Sequence, residues 1–174
     1  MKHLGKIVFA FFLCIVLTGC GQNLYEEGME QLQNGQYEEA AESLEQAVEK
    51  GKNTADSYRG LGIAYWELGE YEQARDALLN AVDHGADATV TFYNLLGNCE
   101  LELGNAESAL EYYEKALSTN EADASLVQDI EFNIIVAYEQ LMDMDTAREK
   151  LIEYLEKYPD DEAAAKEAEF LETR

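Results

Sequence analysis

Few residues of this chain have the types and the spacing that catalysis or metal binding requires. Its 174 residues include two histidines and three cysteines, and His84 is the only histidine beyond position 3. A catalytic triad or a histidine-based metal site therefore has nothing to draw on. Asp143 and Asp145 lack the glycine and the spacing of a calcium loop, so we interpret them as helix-capping residues. The sequence predicts a protein that is not an enzyme and has no cofactor or metal site.

The first twenty residues have the order of an export signal that ends in a modifiable cysteine. Lys2 and Lys6 precede an apolar run of about twelve residues, which is short against the ~20 that a membrane-spanning helix needs. The last four residues, "LTGC", resemble the bacterial lipobox, in which the cysteine thiol receives a diacylglyceryl group and the chain is cut before it. We expect a lipoprotein signal peptide over residues 1–19, lipid attachment at Cys20 and a lipid-anchored junction over residues 20–23. An uncleaved signal anchor and a secretory signal with a chance cysteine are the alternatives.

Such an anchor would set both the location and the redox chemistry of the protein. Two acyl chains hold a protein stably on a bilayer, at ~0.8 kcal/mol per buried CH₂, whereas one chain binds marginally. We therefore expect a lipid-anchored, extracytoplasmic protein of the bacterial cell membrane or envelope.

Loss of Cys14 with the signal and acylation of Cys20 leave Cys99 alone, so no intramolecular disulfide is available. We interpret Cys99 as a small core residue.

The charge of the chain is strongly acidic. Removal of Lys2 and Lys6 leaves 10 of the 12 basic residues against 36 acidic ones, a net charge of −26. This balance disfavours nucleic-acid binding, and we expect no nucleic-acid partner, because that affinity comes from Lys and Arg side chains that neutralise phosphates. An acidic surface attracts basic partners or cations, although a solvated acidic face is the commoner explanation.

Small residues recur along the chain at nearly constant intervals. Gly28 and Gly62 are 34 residues apart, and Gly97 follows 35 residues later. Alanines repeat with the same spacing and then, for the last copy, with a spacing of 38: Ala40, Ala74, Ala109 and Ala147. We expect each glycine to lie where the first helix of a pair meets the second, with the alanine opposite it.

Apolar residues within each copy have the spacing of two helices. In the second copy Leu61, Ala64 and Leu68 stand at i, i+3 and i+7, one face of a helix, before Gly69 breaks the pattern. The fourth copy departs from the pattern, because it has Ile135 in place of the small residue and a methionine in place of the turn glycine. These replacements leave the angle between its two helices open, but we still expect both helices to form.

This pattern resembles the tetratricopeptide repeat, which has a 34-residue period and a helix-turn-helix unit. The resemblance covers Leu24 to Asp161 and implies an all-α fold, a right-handed superhelix of about four helix pairs. We expect the tail, residues 162–174, to form a C-terminal capping helix over the exposed side of the last pair. We expect the repeat domain to cover residues 24–161. The repeats are expected at about 21–54, 55–88, 89–123 and 124–161, so the first one begins within the lipid-anchored junction.

The resemblance also implies a concave groove, lined by the first helices, that binds peptides or protein partners. Helical spacing then indicates which side chains face this groove: Arg59, Ile63, Trp66, Asn94, Asn98, Leu101 and Phe132. The polar ones would bond a peptide backbone, and Trp66 is a candidate hot spot because tryptophan is enriched at such positions. Trp66 could equally fill a gap between pairs, and Arg59 could equally form a surface ion pair. Lysine is absent from this set, so we do not predict a clamp for a C-terminal carboxylate.

These observations favour a membrane-anchored scaffold that binds protein or peptide partners on the extracytoplasmic face of the cell envelope. The alternative is an acidic lipoprotein that captures basic peptides or cations. The sequence does not identify the partner and leaves association with further copies of the chain open.

Overall fold

The chain is built from helices joined by short turns. The computed structural model describes residues 20–119 and 122–172, and no strand occurs among them. The helices of this part of the chain are α1 (Cys20–Gln33), α2 (Tyr37–Glu49), α3 (Thr54–Glu67), α4 (Tyr71–Asp83), α5 (Val90–Glu102), α6 (Ala106–Ser118), α7 (Ala124–Gln140), α8 (Met144–Lys157) and α9 (Glu162–Glu172). The predicted signal peptide, residues 1–19, and the last two residues of the expected capping helix lie outside the described residues.

Consecutive helices pack as pairs, and the pairs stack in chain order. The four pairs are α1–α2, α3–α4, α5–α6 and α7–α8, and the second helix of each packs against the first helix of the next. First helices of neighbouring pairs are also in contact: α1 contacts α3, and α5 contacts α7. The last helix, α9, packs on α8. The result is an α-solenoid of four helix pairs with a terminal helix, whose core is divided among the junctions between neighbouring helices.

The two helices of each of the first three pairs approach closely at a glycine. A Cβ atom built on Gly28 would lie 2.6 Å from Leu44 Cγ, and one on Gly62 would lie 2.6 Å from Leu78 Cγ. At Gly97 the obstacle is the Tyr113 ring, 2.5 Å away. The carbonyl oxygens of two repeating alanines lie slightly farther from the same built Cβ atoms: Ala40 O is 3.3 Å from the one on Gly28, and Ala74 O is 3.4 Å from the one on Gly62. The space that each glycine leaves is therefore filled mainly by the large residue one turn beyond the alanine.

In the fourth pair, Ile135 and Met142 stand where the earlier pairs have the helix glycine and the turn glycine. Ile135 is 1% exposed and packs in a cluster with Ala147 and Leu151. In the turn between α7 and α8, Met142 has φ +60°, close to the φ of +77° that Gly104 has in the preceding pair. A left-handed conformation costs a residue with a side chain about 1–2 kcal/mol. The last pair thus keeps the turn geometry of its neighbours at an energetic cost.

Of the local predictions from the sequence, those for Asp143 and Cys99 are confirmed, whereas Asp145 lies inside α8 and pairs with Arg148 at 3.3 Å instead of capping the helix. Asp143 caps α8, because its carboxylate accepts hydrogen bonds from the Thr146 backbone N–H at 3.2 Å and from the Thr146 hydroxyl at 2.8 Å. Cys99 is a fully buried core residue. Among the described helices, none is both long enough and apolar enough to cross a bilayer.

We predict that Gly62→Ala destabilises the fold by about 1–3 kcal/mol through overpacking against Leu78. The loss should appear even though alanine has the higher helix propensity, a gain of ~1 kcal/mol. The measurement is the midpoint of urea unfolding followed by circular dichroism.

A double-mutant cycle tests the cause of that loss. Leu78→Ala alone should cost about 2–5 kcal/mol through the cavity it leaves. The double variant should cost less than the sum of the two single changes, because the added methyl group then occupies space that Leu78 has vacated. Strictly additive losses would show that the two side chains do not compete for the same space.

Candidate functional site

A polar groove lies where α5, α7 and the start of α9 meet. The residues that line it are Asn94, Asn98, Gln128, Asp129, Phe132, Asn133, Tyr154, Asp161 and Ala163, and we term it the inner groove. Side-chain amides and two carboxylates supply most of its polar atoms. No lysine or arginine from residues 20–119 or 122–172 lines it. The inner groove therefore suits hydrogen-bonding or cationic ligands better than anionic ones.

Two asparagines one helical turn apart on α5 offer complementary hydrogen-bonding atoms. The Asn94 Oδ1 atom is buried and, within the part of the chain that the structure describes, has no hydrogen-bond partner. The Asn98 Oδ1 atom accepts from the Tyr113 hydroxyl at 2.8 Å and from Asn133 Nδ2 at 3.1 Å. Both bonds occupy the oxygen of Asn98, which leaves its amide nitrogen as a donor. The pair thus presents an acceptor from Asn94 beside a donor from Asn98.

The position of Asn98 follows from the packing of the third helix pair. Tyr113 is fully buried because its ring fills the space beside Gly97. Burial raises the pKa of its phenol, so the hydroxyl stays protonated and donates to Asn98. The glycine that allows the two helices to approach therefore also fixes the orientation of a groove side chain.

The opposite wall is a network that ties α8 to α9. The Tyr154 hydroxyl donates to Asp161 Oδ2 at 2.7 Å, and Gln128 Nε2 donates to the Tyr154 oxygen at 3.0 Å. The other carboxylate oxygen, Asp161 Oδ1, accepts from the backbone N–H groups of Ala163 and Ala164, both at 3.0 Å. Phe132 packs against Tyr154 with ring centroids 5.6 Å apart. Asp161 thus both caps α9 and holds the wall in place.

The protonation states of this network are complementary. The hydrogen bonds from Tyr154 and from the Ala164 N–H hold the pKa of Asp161 below its usual range. Burial, together with the bond to Asp161, raises the pKa of Tyr154 to about 12. The carboxylate therefore remains an acceptor and the phenol remains a donor across the neutral pH range.

Comparison with known protein families and structures agrees with this architecture. A family model described as tetratricopeptide repeat matches residues 25–89 and again residues 64–127, which together exceed half of the chain, and a second model of the same description matches residues 129–161. The chain belongs to the tetratricopeptide repeat (TPR) family. A search of curated proteins finds no significant sequence match.

Solved TPR structures share the fold at low sequence identity. MamA from Desulfovibrio magneticus RS-1, residues 41 to the end, aligns with a TM-score of 0.74 and 18% identity over 88% of this chain and 84% of its own. YrrB, described as a TPR protein with an unusual peptide-binding site, aligns with a TM-score of 0.70 and 21% identity over 85% of this chain and 74% of its own. The predicted fold class, a TPR solenoid with a terminal helix, is confirmed.

The structure brings together three of the residues expected to line the TPR groove. Asn94, Asn98 and Phe132 all lie in the inner groove. Leu101 does not, and its placement corrects the sequence expectation. Its side chain is 9% exposed and belongs to a core cluster with Val90 and Ile130. The C-terminal half of α7 covers it, since Gln140 Nε2 donates to the Leu101 carbonyl oxygen at 3.2 Å.

The other expected groove residues lie on α3, one pair away from the inner groove. Arg59 forms an ion pair with Asp56, with 2.6 Å between Nη2 and Oδ1, and its side chain is 43% exposed. Ile63 is 37% exposed. Trp66 is half-buried between the second and third pairs, and its ring centroid lies 5.1 Å from that of Tyr71. That these three side chains contact a ligand remains a prediction.

Sequence reasoning missed six residues of the inner groove: Gln128, Asp129, Asn133, Tyr154, Asp161 and Ala163. Asn133 could have been found from the sequence, because it is a polar residue inside the apolar run "FNIIVAY" of α7. No sequence pattern marks Gln128, Tyr154 or Asp161 as groove residues, because they come from three different segments that meet only in the fold. Only the fold shows that Tyr154 and Asp161 share a hydrogen bond.

Cys99 and His84, two residue types common in catalytic sites, do not line the inner groove. Burial raises the pKa of the Cys99 thiol to about 12, which leaves it without the thiolate that nucleophilic chemistry uses. His84 ends α4, where its Nδ1 atom lies 2.7 Å from the Asn80 carbonyl oxygen. No group of three or more metal-ligating side chains occurs among the described residues.

We predict that Tyr154→Phe raises the pKa of Asp161 toward its ordinary value of about 3.9. The measurement is an NMR titration of ¹³C-labelled aspartate carboxyl groups. Because the folded pKa is depressed, Asp161 stabilises the fold fully above about pH 4, and this stabilisation is lost as pH falls through the folded pKa. Tyr158→Phe is the matched control, and an equal shift in both variants would contradict the assignment.

Proposed function

We propose that this TPR protein is a lipid-anchored scaffold that binds an extended segment of a partner protein in its inner groove. The observation that carries the proposal is the buried Asn94 Oδ1 atom, which lacks a partner, beside the donor of Asn98. An unpaired buried polar atom costs about 1–3 kcal/mol. A bound ligand that donates to Asn94 would remove that cost.

The chemistry of the two asparagines fits a peptide backbone. Each residue of an extended chain presents one N–H donor and one C=O acceptor. A backbone N–H would donate to Asn94, and a neighbouring carbonyl oxygen would accept from the Asn98 amide. Phe132 beside them offers an apolar contact for a ligand side chain. These contacts read the backbone and so do not by themselves select a partner sequence.

The membrane part of the proposal is supported by the N-terminal sequence. The basic start, the short apolar run and the "LTGC" motif together point to acylation of Cys20. The backbone of α1 is already helical at Cys20. The lipid would therefore hold the first helix pair close to the bilayer surface, and the inner groove would lie in the pairs farther along the stack.

The alternative function is capture of basic peptides or cations by the acidic surface as a whole. It is favoured by the net charge and by the carboxylates of Asp129 and Asp161 in the inner groove. Binding of that kind should weaken strongly with salt and should not depend on Asn94.

The test of backbone recognition uses a pool of acetylated, amidated heptapeptides of mixed sequence. We expect the pool to shift the side-chain amide NMR signals of Asn94 and Asn98, and Asn94→Ala to abolish binding. Asn34→Ala, at an exposed turn, is the matched control and should bind as the wild type does. Binding that survives Asn94→Ala would contradict the proposal and favour capture by charge.

The test of the anchor is metabolic labelling with a radioactive fatty acid in a bacterial host. The wild-type chain should be labelled and recovered with membranes, and Cys20→Ser should lose both properties. Cys14→Ser is the control, since Cys14 lies within the predicted signal peptide. A wild-type chain that carries no label would show that Cys20 is not acylated.

A further inference from the structure

A second pocket lies at the C-terminal end of α7, between that helix and α9. Its walls are mostly apolar, and the residues that line it are Val136, Glu139, Gln140, Met142, Met144, Phe170 and Leu171. We term it the α7–α9 pocket. Met142 is 78% exposed and Phe170 is 46% exposed. No lysine or arginine of the described residues lines this pocket.

The α7–α9 pocket contains a carboxylate, that of Glu139, for which the described residues provide no counter-ion. The Glu139 Oε1 atom is buried and makes no hydrogen bond to any described residue. Desolvation, followed by repulsion from Glu167 on α9, raises the pKa of Glu139. Both effects disfavour the charged form of the Glu139 carboxyl group in the free protein.

The direction of the shift shows that Glu139 destabilises the fold at neutral pH. A carboxyl whose folded pKa is raised contributes stability below its unfolded pKa, and that contribution is lost as pH rises through the folded pKa. At neutral pH the ionised side chain is therefore a net cost. A glutamine of the same shape would remove the charge and its cost, and a cationic ligand would compensate the charge instead.

The walls and the charge together fit the side chain of lysine or arginine. These side chains place an aliphatic stem along apolar surface while the cationic end reaches a polar partner. Methionine side chains adapt their shape to such a stem, and two of them, Met142 and Met144, stand beside Glu139. The cation would satisfy the buried Glu139 oxygen and offset its repulsion from Glu167.

The α7–α9 pocket lies along the same face of α7 as the inner groove. Phe132, Val136 and Glu139 follow one another at i, i+4 and i+7 on that face. Asn133, which bonds Asn98, precedes Glu139 by six residues, or ~9 Å along a helix axis. An extended peptide covers that distance in about three residues.

We propose that the segment bound in the inner groove carries a lysine or arginine about three residues from the position held by Asn94 and Asn98, and that this side chain enters the α7–α9 pocket. The inference rests on the proposed function and adds a selection rule to it. Backbone contacts would hold any extended segment, and Glu139 would select the basic ones.

The test compares two heptapeptide pools that differ by one acetyl group. Each pool is acetylated and amidated at its ends, has one fixed lysine and is otherwise drawn from Ala, Gly, Ser, Asn and Leu. In the second pool the lysine is N-acetylated, which keeps the stem and removes the charge. Binding is followed by the methyl signals of ¹³C-methionine, since Met142 and Met144 line the α7–α9 pocket and Met29, on α1, serves as internal reference.

We expect the lysine pool to shift the Met142 and Met144 signals, to leave Met29 unmoved and to bind on the order of tenfold more tightly than the acetyl-lysine pool. Glu139→Gln should remove this preference while raising the urea midpoint of the free protein, a combination that loss of folding cannot produce. Glu156→Gln removes the same charge at an exposed position of α8 and should keep the preference.

The outcomes separate this inference from the proposed function. Equal binding of both pools that still depends on Asn94 would overturn the selection of basic residues and leave the backbone-binding scaffold intact. A preference that survives Glu139→Gln would also overturn the selection rule. If neither pool shifts the side-chain amide signals of Asn94 and Asn98, recorded on the same samples, both proposals fail.

Discussion

The distance between the two helices of a pair is the constraint on which the rest of this TPR structure depends. At Gly28 and Gly62 the facing leucine side chain occupies the volume that a Cβ atom would need. At Gly97 the facing side chain is Tyr113, and its hydroxyl donates to Asn98, which lines the inner groove. The same close approach thus sets the stacking of the helices and the geometry of the candidate site.

Most of the fold could be predicted from the sequence because the contacts of a solenoid are local along the chain. Each pair touches only its neighbours, so glycines at 34- and 35-residue intervals report the packing directly. The fourth pair was harder to predict, because Ile135 and Met142 replace the residues that mark the pattern. Its helices still form, since Ile135 packs against Ala147 and Leu151 in a cluster of its own.

The site could be predicted only in part. Helical spacing placed Asn94, Asn98 and Phe132 on the correct faces of α5 and α7. The same spacing misplaced Leu101, because it cannot show that α7 extends over the end of α5 and bonds the Leu101 carbonyl through Gln140. Tyr154 and Asp161 were missed for a related reason, since they enter the groove from the last helices. Contacts between elements distant in the sequence leave no periodic trace.

The inner groove draws its walls from α5, α7 and the start of α9, which are successive units of the stack. In the free protein α5 and α9 belong to units that are not adjacent, because α5 packs on α7 of the fourth pair and α9 packs on α8 of the same pair. An occupant that contacts α5, α7 and the start of α9 would link two units of the stack that do not pack directly on each other. The curvature of the C-terminal half of the solenoid would then be set by what it carries as well as by its own packing.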